Sequence, residues 1–119
     1  MDDNNIVLSK GKKFAIRIVK LYQHLRYTKK EYTLADQLLR AGTSIGANIC
    51  EAVRGFSKAD FSYKMNTALK ESYETQFWLE LLYQTEYINK KEFDSIYSDC
   101  TELSKLLTVI VKSSRDSEK

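Results

Sequence analysis

The sequence has few of the residues that interrupt helices or cross-link chains. It contains no proline and only four glycines in 119 residues, whereas an all-β fold needs many such residues for its turns. Its two cysteines, Cys50 and Cys100, both fall on apolar faces of predicted helices. We therefore expect an all-α protein in which both thiols are reduced and belong to the core.

Long apolar runs are also missing. No stretch approaches the ~20 consecutive apolar residues that a membrane-spanning helix requires. The N-terminal residues, MDDNNIVLS, begin with acids and include only three consecutive apolar side chains, which is not the pattern of a secretory signal peptide. The sequence therefore predicts a cytoplasmic protein that does not act at a membrane.

Residues suited to catalysis are scarce. The chain has a single histidine, His24, which is predicted to lie among basic residues and away from both cysteines. Di-iron bundles use Glu-x-x-His pairs, and nucleophilic catalysis needs a Ser or Cys beside a positioned base. The sequence has neither pattern, nor a Gly-rich phosphate loop or a zinc-type cysteine spacing. We predict a non-enzymatic protein with no cofactor and no metal site.

Apolar residues recur at helical spacing in four segments, at about 10–28, 34–54, 58–85 and 90–112. The predicted N-cap residues are Ser9, Thr33, Ser57 and Asn89. Gly55 would end the second helix, and the last residues, SSRDSEK, are predicted to be a frayed polar tail. Short connections make consecutive helices antiparallel neighbours. We predict one domain, residues 1–119, folded as an all-α, antiparallel up-down-up-down four-helix bundle.

The first predicted helix has an apolar face and a basic face. The apolar face would consist of Phe14, Ala15, Ile18, Val19, Leu21, Tyr22 and Leu25. The opposite face, named here the basic stripe, consists of Lys10, Lys13, Arg17, Lys20 and His24. Residues 10–30 contain eight Lys or Arg and no acid, which is the sharpest charge asymmetry in the chain. The stripe is either a solvated face or a phosphate-binding surface extended by Lys12, Arg26, Lys29 and Lys30.

Gly42 and Gly46 lie one turn apart within the apolar arc of the second helix. Each glycine lowers helix stability by about 1 kcal/mol relative to alanine. A neighbouring backbone can approach closely at such positions, and the added dispersion contacts offset that cost. The spacing therefore predicts tight packing of another helix against the second one.

The second and third helices carry more interaction surface than one bundle needs. Large side chains that lie off the core face of helix three are Tyr63, Phe77, Trp78 and Leu81. A monomer would leave Trp78 and its neighbours in water, and exposed patches of this kind usually mark interfaces.

The polar face of helix two allows two interpretations. It includes Arg40, Ser44 and Glu51, with Asn48 beside them. The face is either solvated, or it forms a polar network under a second subunit. In the second case, Arg40 would pair with a carboxylate such as Glu71 or Glu74.

Two stretches, QLLRAGTSIGANICEA (37–52) and FSYKMNTALKESYETQFWLELL (61–82), resemble a known family. They are similar to the four-helix-bundle family of 23S rRNA intervening-sequence proteins, also called S23-type proteins. The family pattern on the second helix matches Gln37, Leu38, Arg40, Ser44, Ile45, Asn48, Ile49 and Glu51, with Ala52 in place of the usual glycine. The third-helix pattern matches Ala68, Glu71, Glu74, Trp78 and Leu79. The resemblance covers about residues 10–112.

The resemblance implies a bundle that assembles as a ring-shaped homopentamer. Some relatives are encoded inside insertions in 23S rRNA genes. A related branch, the accessory proteins of diversity-generating retroelements, binds nucleic acid and a reverse transcriptase. With these relatives in view, the residues expected in a buried or intersubunit polar network are Arg40, Ser44, Asn48, Glu51, Glu71, Glu74 and Trp78.

Two functions fit these features. The first is a homo-oligomeric, sequence-tolerant nucleic-acid-binding or adaptor protein for RNA or DNA. Its phosphate-binding residues would be Lys10, Lys13, Arg17, Lys20, Arg26, Lys29 and Lys30. The alternative is an interaction scaffold that docks a partner protein through its tyrosine-rich surface and has no nucleic-acid role. A membrane-surface role is disfavoured because the core needs the apolar face of helix one.

Overall fold

The structure, a computed structural model, describes the backbone of residues 3–118 and the side chains of residues 4–116. Over this range the chain forms four α-helices, namely α1 (Asp3–Gln23), α2 (Thr33–Val53), α3 (Lys58–Gln84) and α4 (Lys90–Glu118). A π-helical turn, His24–Thr28, extends α1. Each helix packs against the next, and α4 closes back on α1. The predicted all-α, antiparallel up-down-up-down four-helix bundle is confirmed, with dimensions of 47 × 23 × 21 Å.

The core is an apolar column to which each of these helices contributes. Fully buried side chains include Phe14, Ile18, Leu38, Ile45, Ile49, Met65, Leu79, Leu82, Leu103 and Leu107. Together with smaller buried residues such as Ala41 and Ala68, they recur about every three or four residues, as one buried stripe requires. Burying one such side chain stabilises the fold by roughly 1.5–3 kcal/mol, so the core fixes how the helices face one another.

Helices α1 and α2 are in close contact at glycines. A Cβ atom at Gly46 would lie 3.1 Å from the carbonyl oxygen of Gly11, so backbone meets backbone there. A Cβ atom at Gly42 would lie 2.7 Å from Cγ1 of Ile18, whose side chain fills the space above that glycine. The tight packing that Gly42 and Gly46 predict is therefore confirmed, and α1 is the helix that packs there.

The caps of α3 and α4 are those that the sequence predicts. The Ser57 hydroxyl accepts a hydrogen bond from the Asp60 N–H at 3.0 Å. The Asn89 side chain accepts from the Glu92 N–H at 2.8 Å, and the Glu92 carboxylate accepts from the Asn89 N–H at 3.0 Å. This reciprocal pair is a capping box.

The predicted cap of α2 is wrong. Thr33 is the first helical residue, and its side chain does not cap the helix. The Glu31 carboxylate accepts a hydrogen bond from the Leu34 N–H instead. Lys30 has a positive φ of 59°, and the chain turns there into α2. The Glu31 carboxylate, rather than the Thr33 hydroxyl, is therefore the group that accepts from the first turn of the helix.

Helix α1 begins earlier than the sequence predicts. It starts at Asp3 rather than near Lys10, so Ser9 is an internal residue and not an N-cap. Val7 is fully buried and lies about two helical turns before Phe14. It therefore extends the buried stripe of α1 toward the N-terminus. Burial of this side chain outweighs the capping signal of Ser9.

Helix α4 ends later than the sequence predicts. It continues beyond Lys112 to Glu118, so the segment SSRDSEK is helical through its penultimate residue. Val111 is buried, and Ile110 and Ser114 line a cavity together with Asn4 of α1. Because α1 begins early, its first turn lies beside the last turns of α4.

Several predicted core positions, Val19 and Cys50 among them, are not fully buried. Val19 is 37% exposed, because it lies about 100° around the helix from the fully buried Ile18. Both cysteines are free, with Cys100 buried and Cys50 half-buried. Burial, followed by the nearby charge of Asp99, raises the pKa of the Cys100 thiol to about 12. Cys100 is thus the core thiol that the sequence predicts, whereas Cys50 reaches the surface.

Candidate interaction surfaces

Charged side chains gather along two seams that share no helix. The seam between α4 and α1 contains the basic stripe, and the seam between α2 and α3 contains Arg40. The helices follow one another around the bundle. The two seams therefore lie on opposite sides of the molecule.

Two residues of the basic stripe form ion pairs with acids on α4. Lys10 Nζ lies 2.5 Å from Glu102 Oε1. Arg17 Nη1 lies 2.7 Å from Asp99 Oδ2, and the same guanidinium donates to the backbone carbonyl and the hydroxyl of Ser95. All four charged side chains are about half exposed, so each pair stabilises the fold by roughly 0.2–1 kcal/mol. Lys10 and Arg17 therefore link α1 to α4 through partly exposed ion pairs.

The other stripe lysines remain available. Lys13 and Lys20 are exposed, and neither forms an ion pair with another side chain of residues 4–116. Lys20 and His24 line a cavity of about 390 Å³ between α1 and α4, and Leu21 and Ile96 also line it. The stripe is therefore divided into paired residues and exposed ones.

The exposed cations continue past the end of α1. Lys12, Lys29 and Lys30 are exposed and make no ion pair within the described part of the chain. We name Lys12, Lys13, Lys20, Lys29 and Lys30 the exposed lysine set. Its members come from α1 and from the connection to α2.

Arg26 lies between two aromatic rings in that connection. Its Cζ atom is 5.1 Å from the ring centroid of Tyr32 and 5.9 Å from that of Tyr27. The Nη1 atom of Arg26 lies 4.0 Å from Oδ1 of Asp36. The Coulombic interaction with Tyr22 is the largest cause that raises the pKa of Arg26, so the guanidinium stays cationic between the two rings.

On the opposite side of the bundle, Arg40 lies between two carboxylates of α3. Its Nη1 atom is 3.3 Å from Glu71 Oε2, and its Nη2 atom donates to Glu74 Oε2. The indole N–H of Trp78 donates to the same Glu74 oxygen at 2.9 Å. The Glu71 side chain is 19% exposed and that of Arg40 is 49% exposed. The structure brings these four side chains together within one chain.

The remaining polar residues of α2 follow the same seam with weaker links to α3. Ser44 donates to the Arg40 carbonyl at 2.6 Å, and Asn48 donates to the Ser44 carbonyl at 2.8 Å. Glu51 lies 3.3 Å from Lys64 of α3. Ser44 and Asn48 thus bond within their own helix, and whether a second subunit covers this seam stays a prediction.

Several aromatic side chains of α3 are exposed. Tyr63 is 68% exposed, Tyr73 is 53% exposed and Phe77 is 54% exposed. Trp78, which we expected in water in a monomer, is half-buried and packs against the core. Phe77 contacts it edge-on, with ring centroids 5.0 Å apart. The exposed aromatic surface is therefore made by its neighbours rather than by Trp78.

Comparison with known proteins decides the family. The family model for the 23S rRNA-intervening sequence proteins matches residues 3–109. The chain belongs to this family. A crystal structure from Bacteroides thetaiotaomicron, described as a protein with unknown function from the S23 ribosomal protein family, is 51% identical over 93% of this chain and 99% of that one, with a TM-score of 0.91. No protein with a curated description matches the chain.

The family resemblance that the sequence suggests is therefore confirmed, together with the helical fold that it implies. The matching family and structure carry no enzymatic description, and the similar structure is described as a protein with unknown function. Among the side chains that the structure describes, residues 4–116, no group of three or more His, Cys, Asp and Glu is placed to hold a metal ion. None of the described helices is both long and apolar enough to cross a membrane.

Two features of these surfaces are not among the predictions from the sequence. The acids of α4 that pair with the stripe, Asp99 and Glu102, lie on one face of that helix, and their spacing of three residues was a usable signal. The tyrosines around Arg26 lie on separate elements, Tyr27 in the π-helical turn and Tyr32 before α2. Only the folded connection brings those two rings together.

Proposed function

We propose that this small helical protein is a non-enzymatic, homo-oligomeric module that binds the phosphate backbone of RNA or DNA without reading its sequence. The observation that carries the proposal is the exposed lysine set. These lysines belong to a segment, residues 10–30, that contains no acid. Carboxylates of α4 lie near two of them, since Glu92 lines a cavity with Lys20 and Asp99 lines another with Lys13. Neither lysine forms an ion pair with these acids.

We propose a smaller set of phosphate-binding residues than the sequence suggests. Lys10 and Arg17 are engaged by Glu102 and Asp99, so we assign them to holding α1 against α4. The exposed lysine set, with Arg26, would provide the phosphate contacts. Such contacts give affinity without sequence specificity because every phosphate is alike.

Self-association would multiply this surface. The family resemblance implies a ring of five copies. The exposed aromatic residues of α3, Tyr63 and Phe77, support an interface on a helix diagonal to α1. Contacts through α3 would leave α1 of each copy accessible, and a polyanion could then span several copies at once.

The test compares two charge reversals of equal size by fluorescence anisotropy with a labelled RNA. The test variant is Lys13→Glu/Lys20→Glu/Lys30→Glu. The control is Lys70→Glu/Lys91→Glu/Lys105→Glu, which reverses three exposed lysines of α3 and α4. We expect the test variant to bind at least about tenfold more weakly and its log–log salt slope to be smaller by about 1 for each lost phosphate contact.

The control variant should bind like the original protein, and circular dichroism should show that both variants remain helical. Equal weakening by both variants would assign the binding to net charge instead of to this surface. Failure of RNA and DNA to bind at about 50 mM salt would reject the proposal.

The exposed aromatic residues favour a second candidate, a scaffold that docks a partner protein. Tyr63, Tyr73 and Phe77 offer large apolar surfaces without a partner in the bundle core. Size-exclusion chromatography with light scattering, before and after nuclease treatment, separates the two candidates. A protein partner that is retained after nuclease treatment, together with no nucleic-acid binding, would favour the scaffold.

A further inference from the structure

The connection between α1 and α2 exposes two aromatic rings among cations. Tyr27 is 64% exposed and Tyr32 is 48% exposed. Both rings lie around the guanidinium of Arg26, and Lys29 and Lys30 are exposed between them in the chain. We name these five residues the turn surface. Phosphate binding alone does not need its aromatic rings.

Backbone hydrogen bonds fix the shape of the connection. The Lys29 N–H donates to the His24 carbonyl at 3.1 Å, and the Glu31 N–H donates to the Leu25 carbonyl at 2.9 Å. Leu25 is fully buried and anchors the π-helical turn in the core. Lys30 adopts a left-handed conformation that non-glycine residues seldom use. Such turns and conformations are frequent at functional sites, and here they hold the two rings outward.

The charge of the turn surface selects its ligand. Arg26, Lys29 and Lys30 provide three cations. Two acids lie nearby, since Glu31 caps α2 and Asp36 forms a long ion pair with Arg26, and Lys29 and Lys30 remain without an acidic partner among the described residues. Exposed aromatic rings flanked by such cations are the arrangement by which proteins bind single strands, where rings stack on bases and cations contact the backbone.

We propose that the turn surface stacks on unpaired bases and gives the protein a preference for single-stranded over duplex nucleic acid. This inference rests on the proposed function and adds the form of nucleic acid that is bound. In a duplex, neighbouring base pairs cover both faces of each base. Tyr27 and Tyr32 can then contact only the backbone, and the stacking contribution is lost.

The experiment separates stacking from phosphate binding with three labelled probes of about 20 nucleotides or base pairs. They are an oligothymidylate, an abasic oligonucleotide with the same number of phosphates, and a duplex. We expect the oligothymidylate to bind at least about fivefold more tightly than the abasic strand, because each stacked base contributes roughly that factor or more. Binding to the abasic strand should still depend on salt and on the exposed lysine set.

The variant Tyr27→Leu/Tyr32→Leu should bind the oligothymidylate and the abasic strand equally. Tyr27→Phe/Tyr32→Phe keeps both rings and should retain the preference. The matched control, Tyr63→Leu/Tyr73→Leu, removes two exposed tyrosines of α3 and should also retain it. Circular dichroism should show unchanged helix content in each variant.

Equal binding of the oligothymidylate and the abasic strand by the original protein would overturn the inference, as would a preference that survives in Tyr27→Leu/Tyr32→Leu. If salt-sensitive binding through the exposed lysine set persists in those cases, the proposed function stands without stacking. Failure of all three probes to bind would reject the proposed function and the inference together.

Discussion

The two charged seams of the bundle differ in whether their charged side chains have partners within the chain. On the α2–α3 seam, one cation, Arg40, contacts two carboxylates, Glu71 and Glu74. The indole N–H of Trp78 donates to one of these carboxylates. Every side chain of this small network thus has a partner in the same chain.

The α4–α1 seam has a surplus of cations. Asp99 and Glu102 engage Arg17 and Lys10, whereas Lys13 is exposed beside them. Ion pairs of similar geometry therefore have different consequences in the two seams. The α2–α3 network, whose charged side chains have partners, contributes to the fold, whereas the exposed lysines of the α4–α1 seam leave charge for an external anion.

The largest effect that follows from this comparison concerns Trp78. Replacing it with alanine removes a half-buried indole from the α2–α3 seam and leaves Arg40 as the remaining donor to Glu74. We expect Trp78→Ala to lower the free energy of unfolding by roughly 2–3 kcal/mol, less than for a fully buried tryptophan. Urea denaturation at fixed protein concentration measures this loss, and nucleic-acid affinity should not change.

The adjacent residue is the matched control for this prediction. Phe77 is 54% exposed and contacts Trp78 only edge-on, so Phe77→Ala should cost less than about 1 kcal/mol in the monomer. If Phe77→Ala instead lowers the mass measured by light scattering, Phe77 belongs to a subunit interface. Equal losses of stability for both variants would mean that the indole is not the packed ring of this seam.

A smaller effect is expected at Arg40. Arg40→Ala leaves Glu71, which is mostly buried, and Glu74 without a cation. The exposure of Arg40 limits the expected loss in unfolding free energy to about 1 kcal/mol. Arg40→Lys should recover little of it, because a single ammonium group does not replace the forked guanidinium between two carboxylates.

Arg54→Ala provides the control for Arg40, since Arg54 is exposed at the end of α2 and forms no ion pair within the described residues. Its unfolding midpoint should match that of the original protein. A stability loss for Arg54→Ala as large as that for Arg40→Ala would show that the α2–α3 network contributes nothing of its own.

Most of the fold could be predicted from the sequence because local and global signals agree. The stripe of apolar residues, the caps at Ser57 and Asn89, and the glycines at 42 and 46 are each satisfied by the same bundle. The errors occur where tertiary contacts overrule a local signal. The start of α1 is decided by burial of Val7, and no spacing near Ser9 contains that information.

The candidate sites were less predictable, because charge in a sequence does not show which charges meet. Helical period alone groups Lys10 and Arg17 with Lys13 and Lys20 on one stripe. Only the packing of α4 separates them, since its acids reach two of these cations. The turn surface was missed for a similar reason, because Tyr27 and Tyr32 become neighbours only through the shape of the π-helical turn and loop.

The smallest expected effect on stability lies at the α4–α1 seam. A double-mutant cycle of Arg17→Ala and Asp99→Ala should give a coupling energy of roughly 0.2–1 kcal/mol, because both side chains are about half exposed. The coupling should decrease as salt is raised to about 1 M, where the Debye length falls to about 3 Å.

The same change at Asp99 should nevertheless strengthen nucleic-acid binding. Asp99→Ala removes an acid from the cationic surface and releases Arg17, so phosphate affinity should rise severalfold at low salt. Asp116→Ala, at an exposed acid near the end of α4, should change affinity less. If Asp99→Ala leaves affinity unchanged, the polyanion does not approach this seam, and the exposed lysines of α1 serve only to keep that face hydrated.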